Sequence, residues 1–160
     1  MVLAVALTLL LAQAATKPTT THPSLLSLAL PRKAAMSASK VEVLRVNPWI
    51  DYITAIRPSS VEQAAAVKVV MTHADHFGIA TITDELDQDE VLEPGCGAEH
   101  YTPETFPVSW AIRYFDENDN DIGSIYLAAN GLCVLAGKAV YSIDPTLLVF
   151  LERTYGPLNF

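Results

Sequence analysis

Two clusters of carboxylates are the side chains best placed to do chemistry in this chain. Asp84, Glu85, Asp87, Asp89, Glu90 and Glu93 crowd one segment, and Asp116, Glu117, Asp119 and Asp121 crowd a second. Together they hold ten of the eighteen acids in a chain of formal net charge −8. Such a field repels phosphate backbones and anionic membrane surfaces, so nucleic acid is not an expected partner. It attracts a basic protein and speeds the encounter. The competing account is solubility, since acidic loops keep exported domains dispersed without any partner.

Metal chemistry has two openings. Asp116, Asn118 and Asn120 occupy the first three oxygen-ligand positions of an EF-hand-type loop, but Asp121 stands where Gly is needed and Leu127 where a bidentate Glu is needed. That segment reads as a hairpin turn. His73, His76 and His100 could supply three imidazoles to zinc. The first two are only three apart and no Glu is placed as a metalloprotease base, so histidines near a helix C-terminus are the plainer account. Nucleophilic catalysis has no visible home, because there is no Gly-x-Ser-x-Gly elbow and no phosphate-binding glycine loop. No catalytic residue and no cofactor is assigned. The expected function is a non-enzymatic binding module, an inhibitor or protective protein that engages a basic partner through its acidic loops. The alternatives are a small metal-dependent enzyme using the His cluster, and a small-ligand carrier with an apolar pocket.

Compartment follows from the N-terminal residues and the sulfurs. Val2 to Ala15 is an apolar, small-residue run broken only by Thr8 and Gln13, too short to span a bilayer as a helix. It ends in Ala12-Gln13-Ala14, the small-x-small pattern of a signal-peptidase site, although the usual opening cation is absent. Residues 1–14 are therefore expected to be a signal peptide, with the mature protein secreted or periplasmic and not stably inserted in a membrane. In an oxidising compartment Cys96 and Cys133 are expected to pair. Residues 15–38, rich in Thr, Pro and Ser, read as a flexible leader, and residues 39–160 as a single domain.

The elements that must hold the acids in place read as α+β. Val41 to Val46 is a strand, and Trp49, Ile50, Ile53 and Ile56 recur at helical spacing. Ser59-Ser60-Val61-Glu62 opens a helix that runs to Gly78, with Val67, Val70, Met71, Ala74 and Phe77 on its core face. Ile79 to Thr83 alternates as a strand, and residues 84–107 carry no regular pattern. Alternation from Val108 to Phe115, from Ile122 to Ala128, from Leu132 to Ala136 and on through Ser142 predicts a four-stranded antiparallel meander. Asp144-Pro145 then caps a C-terminal helix with Leu147, Leu148, Leu151 and Tyr155 on one face.

Overall fold

The computed structural model describes residues 22–47, 55–97 and 100–156. The expected signal peptide and most of the expected helix around Trp49 lie outside these residues. In chain order the elements are α1 (Leu25–Ala29), α2 (Arg32–Met36), β1 (Lys40–Val46), α3 (Val61–Ala64), β2 (Ala65–Thr72) and α4 (His76–Gln88). They continue with β3 (Val91–Pro94), β4 (Trp110–Phe115), β5 (Asp121–Leu127), β6 (Cys133–Ala136), β7 (Ala139–Ile143) and α5 (Thr146–Tyr155). The seven strands form one sheet in the order β2-β1-β4-β5-β6-β7-β3, and every pairing is antiparallel. The class is α+β. The meander β4-β5-β6-β7 is the middle of that sheet, which has seven strands rather than four because β1, β2 and β3 join it.

Two elements differ from the sequence reading. The helix expected from Val61 to Gly78 is four residues of α3 followed by a strand. Val67, Val69, Val70 and Thr72 are β-branched and prefer the extended chain. Pairing with β1 turns Val67, Val69 and Met71 toward one face and Lys68 and Val70 toward the other, an alternation the burial pattern follows. Phe77, expected in the core, is 87% exposed. The strand expected over Ile79–Thr83 is the middle of α4, whose buried residues Ile79, Ile82, Thr83 and Leu86 recur at helical spacing. Gly78 does not stop a helix. It lies in the first turn of α4, where an added Cβ would sit 2.8 Å from Met71 Sδ, so it permits α4 to approach β2.

Strand alternation gives the sheet two different faces. On the first, Val41, Val43, Trp110, Ile112, Tyr114, Ile125, Leu127 and Val134 meet α4 and α5 in the larger core cluster. The segment expected to be a loose leader contributes to the same cluster from Leu25 to Ala38. Leu25, Leu26, Leu30 and Ala35 are buried there, and α1 and α2 both pack on α4. Tyr114 and Thr83 share a buried hydrogen bond of 3.2 Å between sheet and helix. At the other end, Arg45 Nη2 reaches both oxygens of Glu152 on α5, at 2.9 and 2.7 Å, and Trp110 Nε1 donates to the same carboxylate at 3.3 Å. The cap of α5 is as expected: the Asp144 carboxylate accepts from the Thr146 amide at 2.9 Å.

The second face is split. Its apolar half holds Leu44, Val46, Phe106, Val108, Ala111, Ala128, Leu135 and Val140, with the Cys96–Cys133 disulfide. Its other half is ionic. Glu42 is 4% exposed. Its Oε1 meets Lys68 Nζ at 3.1 Å and Lys40 Nζ at 3.5 Å, and its Oε2 faces Arg113 Nη1 at 3.7 Å. Glu62 bridges Lys68 and Arg113, at 3.0 and 3.4 Å.

Glu42→Gln leaves three cations converging on a neutral amide and is expected to cost about 3 kcal/mol, read from urea unfolding. An undiminished midpoint would mean that the network does not hold β1, β2 and β4 together. The disulfide closes a separation of 37 residues. Its reduction is expected to lower stability by about 3–4 kcal/mol, measured with and without reductant.

Candidate functional site

Folding divides the ten acids into two groups. Asp84 and Asp87 project from α4 to Arg32 of α2, the second at 2.8 Å. Asp87 also accepts from Ser24 Oγ at 3.1 Å. Asp119 pairs with Lys40 at 2.8 Å, and Asp121 with Arg113 Nε at 3.4 Å. Asp116 builds the β4–β5 turn. Its carboxylate accepts from the Asn118 amide at 2.8 Å, and from the Asn120 amide and side chain at 2.9 Å each. Those bonds, the Asn120 side chain's first, hold the Asp116 carboxyl below its ordinary range. Its oxygens serve a hairpin, and the left-handed Asp119 (φ 60°) completes it.

The second group is Glu85, Asp89, Glu90, Glu93 and Glu117. Among the described residues, none of these meets a Lys, Arg or His at ion-pair distance. Glu117 is exposed at the hairpin tip. The other four gather at one corner, where α4 ends and β3 runs along the sheet edge. The corner is fixed by the backbone: Leu25 N–H donates to Asp89 O at 2.7 Å, and Val91 N–H to Pro23 O at 3.3 Å. β3 pairs with β7, which brings Asp144 to the same place. A groove of about 460 Å³ opens beside it between α4 and α5, lined by Glu85, Thr146, Val149, Phe150, Arg153 and Thr154. Leu92 and Val149 are exposed apolar side chains on β3 and α5.

Electrostatics at this corner are unrelieved. Burial pushes the Asp89 carboxyl up to about 6, and the neighbouring Glu85 and Asp144 carboxylates add to the rise. Asp89 Oδ2 is buried without a hydrogen-bond partner. Sequence reasoning missed Asp144, which carries no signal beyond its role as a helix cap, and it missed the apolar neighbours Leu92 and Val149.

The histidines do not assemble as expected for a metal centre. His73 lies in the turn after β2 and His76 opens α4, so both stand at a helix N-terminus rather than a C-terminus. Their rings meet edge-on at 4.5 Å. His100 is exposed in the segment between β3 and β4. Among the described residues, no three His, Cys, Asp or Glu side chains come together where they could share a metal ion. Nor is any helix among them long and apolar enough to cross a membrane.

A second concavity lies on the other face of the sheet. A half-open cleft of about 510 Å³ is bounded by the end of β1, the segment leading into β4 and the β5–β6 turn. Val46, Ile56, Tyr101, Val108 and Ala128 form much of its wall. The Asn130-Gly131 turn beside it was legible in the sequence, and Gly131 adopts φ +69° there. The chain matches no protein-family model, no curated protein and no solved structure.

Asp89 sets a pH dependence. Its value is raised from 3.8 to about 6 on folding, so the folded state binds this proton more tightly than the unfolded chain. Its contribution to stability is complete below about pH 4 and is lost as pH rises through about 6. Asp89→Asn is expected to raise the melting temperature at pH 7 by a few degrees and to leave it nearly unchanged at pH 4. Equal shifts at both values would show that the carboxylate charge is not the cause.

Proposed function

We propose that this protein is a non-enzymatic binding module, exported from the reducing cytosol, that engages a basic protein through the corner formed by α4, β3 and the turn into α5. The observation that carries this reading is the division of the acids. Five of the expected ten are engaged by internal cations or by a turn, whereas Glu85, Asp89, Glu90 and Glu93 share a corner with Asp144 and, among the described residues, meet no Lys, Arg or His at ion-pair distance. A carboxylate crowded by others, as Asp89 is by Glu85 and Asp144, is stabilised by a cation brought among them. A Lys- or Arg-rich surface would supply that, and Leu92 and Val149 offer apolar contact beside it. The formal charge of −8 would steer such a partner from a distance. A disulfide between Cys96 and Cys133 is consistent with an oxidising compartment.

The interface differs from the one expected from sequence in leaving out the 116–121 hairpin. A titration against a basic secreted enzyme such as a lysozyme tests it. The combined variant Glu85→Gln, Glu90→Gln, Glu93→Gln is expected to weaken binding by about tenfold at low ionic strength and to flatten its salt dependence. Asp119→Asn with Asp121→Asn is expected to leave affinity within about twofold. No salt-sensitive binding by the unaltered protein, or equal binding by the combined variant, overturns the reading.

A further inference from the structure

The cleft on the second face has a composition unlike the rest of the surface. Eleven described residues line it and none is charged. The chain is 18% charged, so about two of eleven would be expected to carry charge. Its walls are also fixed before any ligand arrives. Val46 N–H donates to Ser109 O, Ser109 N–H to Leu127 O and Val108 N–H to Ile56 O, each at 2.8 Å, and Ala128 N–H donates to Cys133 O at 3.0 Å. Tyr101 packs edge-on against buried Phe106, with ring centroids 5.7 Å apart. The disulfide anchors the irregular segment that carries both rings to the start of β6. Strand ends and a cross-link thus hold an apolar concavity open at the rim of the smaller core, where collapse would otherwise fill it.

We infer that this cleft is a binding site for a neutral, largely apolar small molecule, such as an aromatic ring or short acyl chain with one hydrogen-bonding group. Its volume falls in the range of small-molecule pockets, ~300–1,000 Å³. The eleven described lining residues are fewer than the ~20–30 per side of a stable protein interface, which favours a small occupant over a second chain. The described lining residues include no charged group to offset the desolvation of an ion, which favours a neutral ligand. Asn47, Ser109 and Asn130 are the amide and hydroxyl side chains among the described lining residues, and they suit a ligand with one hydrogen-bonding group. The site lies on the face opposite to α4 and α5, so it goes beyond the basic-partner reading and stands without it.

The test is a fluorescence titration of the whole protein with N-phenyl-1-naphthylamine, a neutral apolar probe. Saturable enhancement at one probe per chain is expected, with its sulfonated, anionic analogue binding at least tenfold more weakly. Ala129→Trp and Ala55→Trp each fill the cleft from an exposed lining position, so the core is untouched, and each is expected to weaken binding at least tenfold. Val149→Trp, in the α4–α5 groove, is expected to leave it unchanged. Absence of saturable enhancement, equal binding of the anionic probe, or undiminished binding by both filling variants overturns the assignment. Saturation at one probe per two chains would make the cleft a contact between copies and overturn the small-molecule occupant.

Discussion

A single carboxylate on the sheet, that of Glu42, sets conditions that the neighbouring structure has to satisfy. Removing a carboxylate from water is costly unless cations and hydrogen bonds replace the solvent. β1 brings Glu42 to its second face, so both flanking strands must offer positive charge at that height. β4 does so through Arg113, which is in direct register with Glu42, and β2 through Lys68, two residues from the register partner Val70 and so on the same face. A slip of β2 by one residue would turn Lys68 to the helix-covered face and leave the carboxylate short of a cation. Phe115 completes the arrangement, with Lys40 at 4.2 Å and Arg113 at 4.8 Å from its ring centroid.

That ionic patch explains why the second face is not covered end to end. A long helix over it would desolvate the cations, so only the short α3 meets it, through Glu62, while α1, α2, α4 and α5 collect on the first face. The apolar remainder of the second face needs a cover, and the irregular chain after β3 supplies it through Phe106, Val108 and Cys96. A segment with so little regular hydrogen bonding is held by its cross-link to β6 rather than by secondary structure. Where this cover ends, at the strand ends of β1 and β4, the uncharged cleft appears.

Elements were legible in the sequence wherever one pattern had no rival. Trp110 to Phe115 and Asp121 to Leu127 alternate cleanly, Asn130-Gly131 marks its turn, and Asp144 caps α5 as read. The stretch from Val61 to Gly78 has two patterns. Val67, Val70, Met71 and Phe77 satisfy a helix, while Val67, Val69 and Met71 satisfy a strand. The antiparallel ladder with β1, far away in the chain, decides between them. The alternation from Ile79 to Thr83 ends at Asp84, and Leu86, the residue that completes the helical face, lies beyond it. The acids themselves were visible, but their sorting was not. Arg32 binds Asp84 across 52 residues, and no local pattern announces that. The cleft was invisible for a different reason: small neutral residues at strand ends look like ordinary loop composition.

The placement of cations turns a diffuse excess of acid into a located one. Arg32, Lys40, Arg45, Lys68 and Arg113 are all joined to carboxylates. Four of them stand on β1, β2 and β4, near one edge of the sheet. Those pairs neutralise Glu42, Glu62, Asp119, Asp121 and Glu152, and Arg32 neutralises Asp84 and Asp87 beside it. At the opposite edge β3 and the end of α4 carry Glu85, Asp89, Glu90 and Glu93, with Arg153 of the α4–α5 groove the nearby cation. A solubilising excess of charge would work equally well spread evenly, since dispersion depends on net charge rather than on its position. Burial first, and the neighbouring Glu85 and Asp144 carboxylates after it, raise the proton affinity of Asp89 and lower the stability of the folded state near neutral pH. An arrangement that weakens the isolated domain but is relieved by an incoming cation is what a docking surface requires.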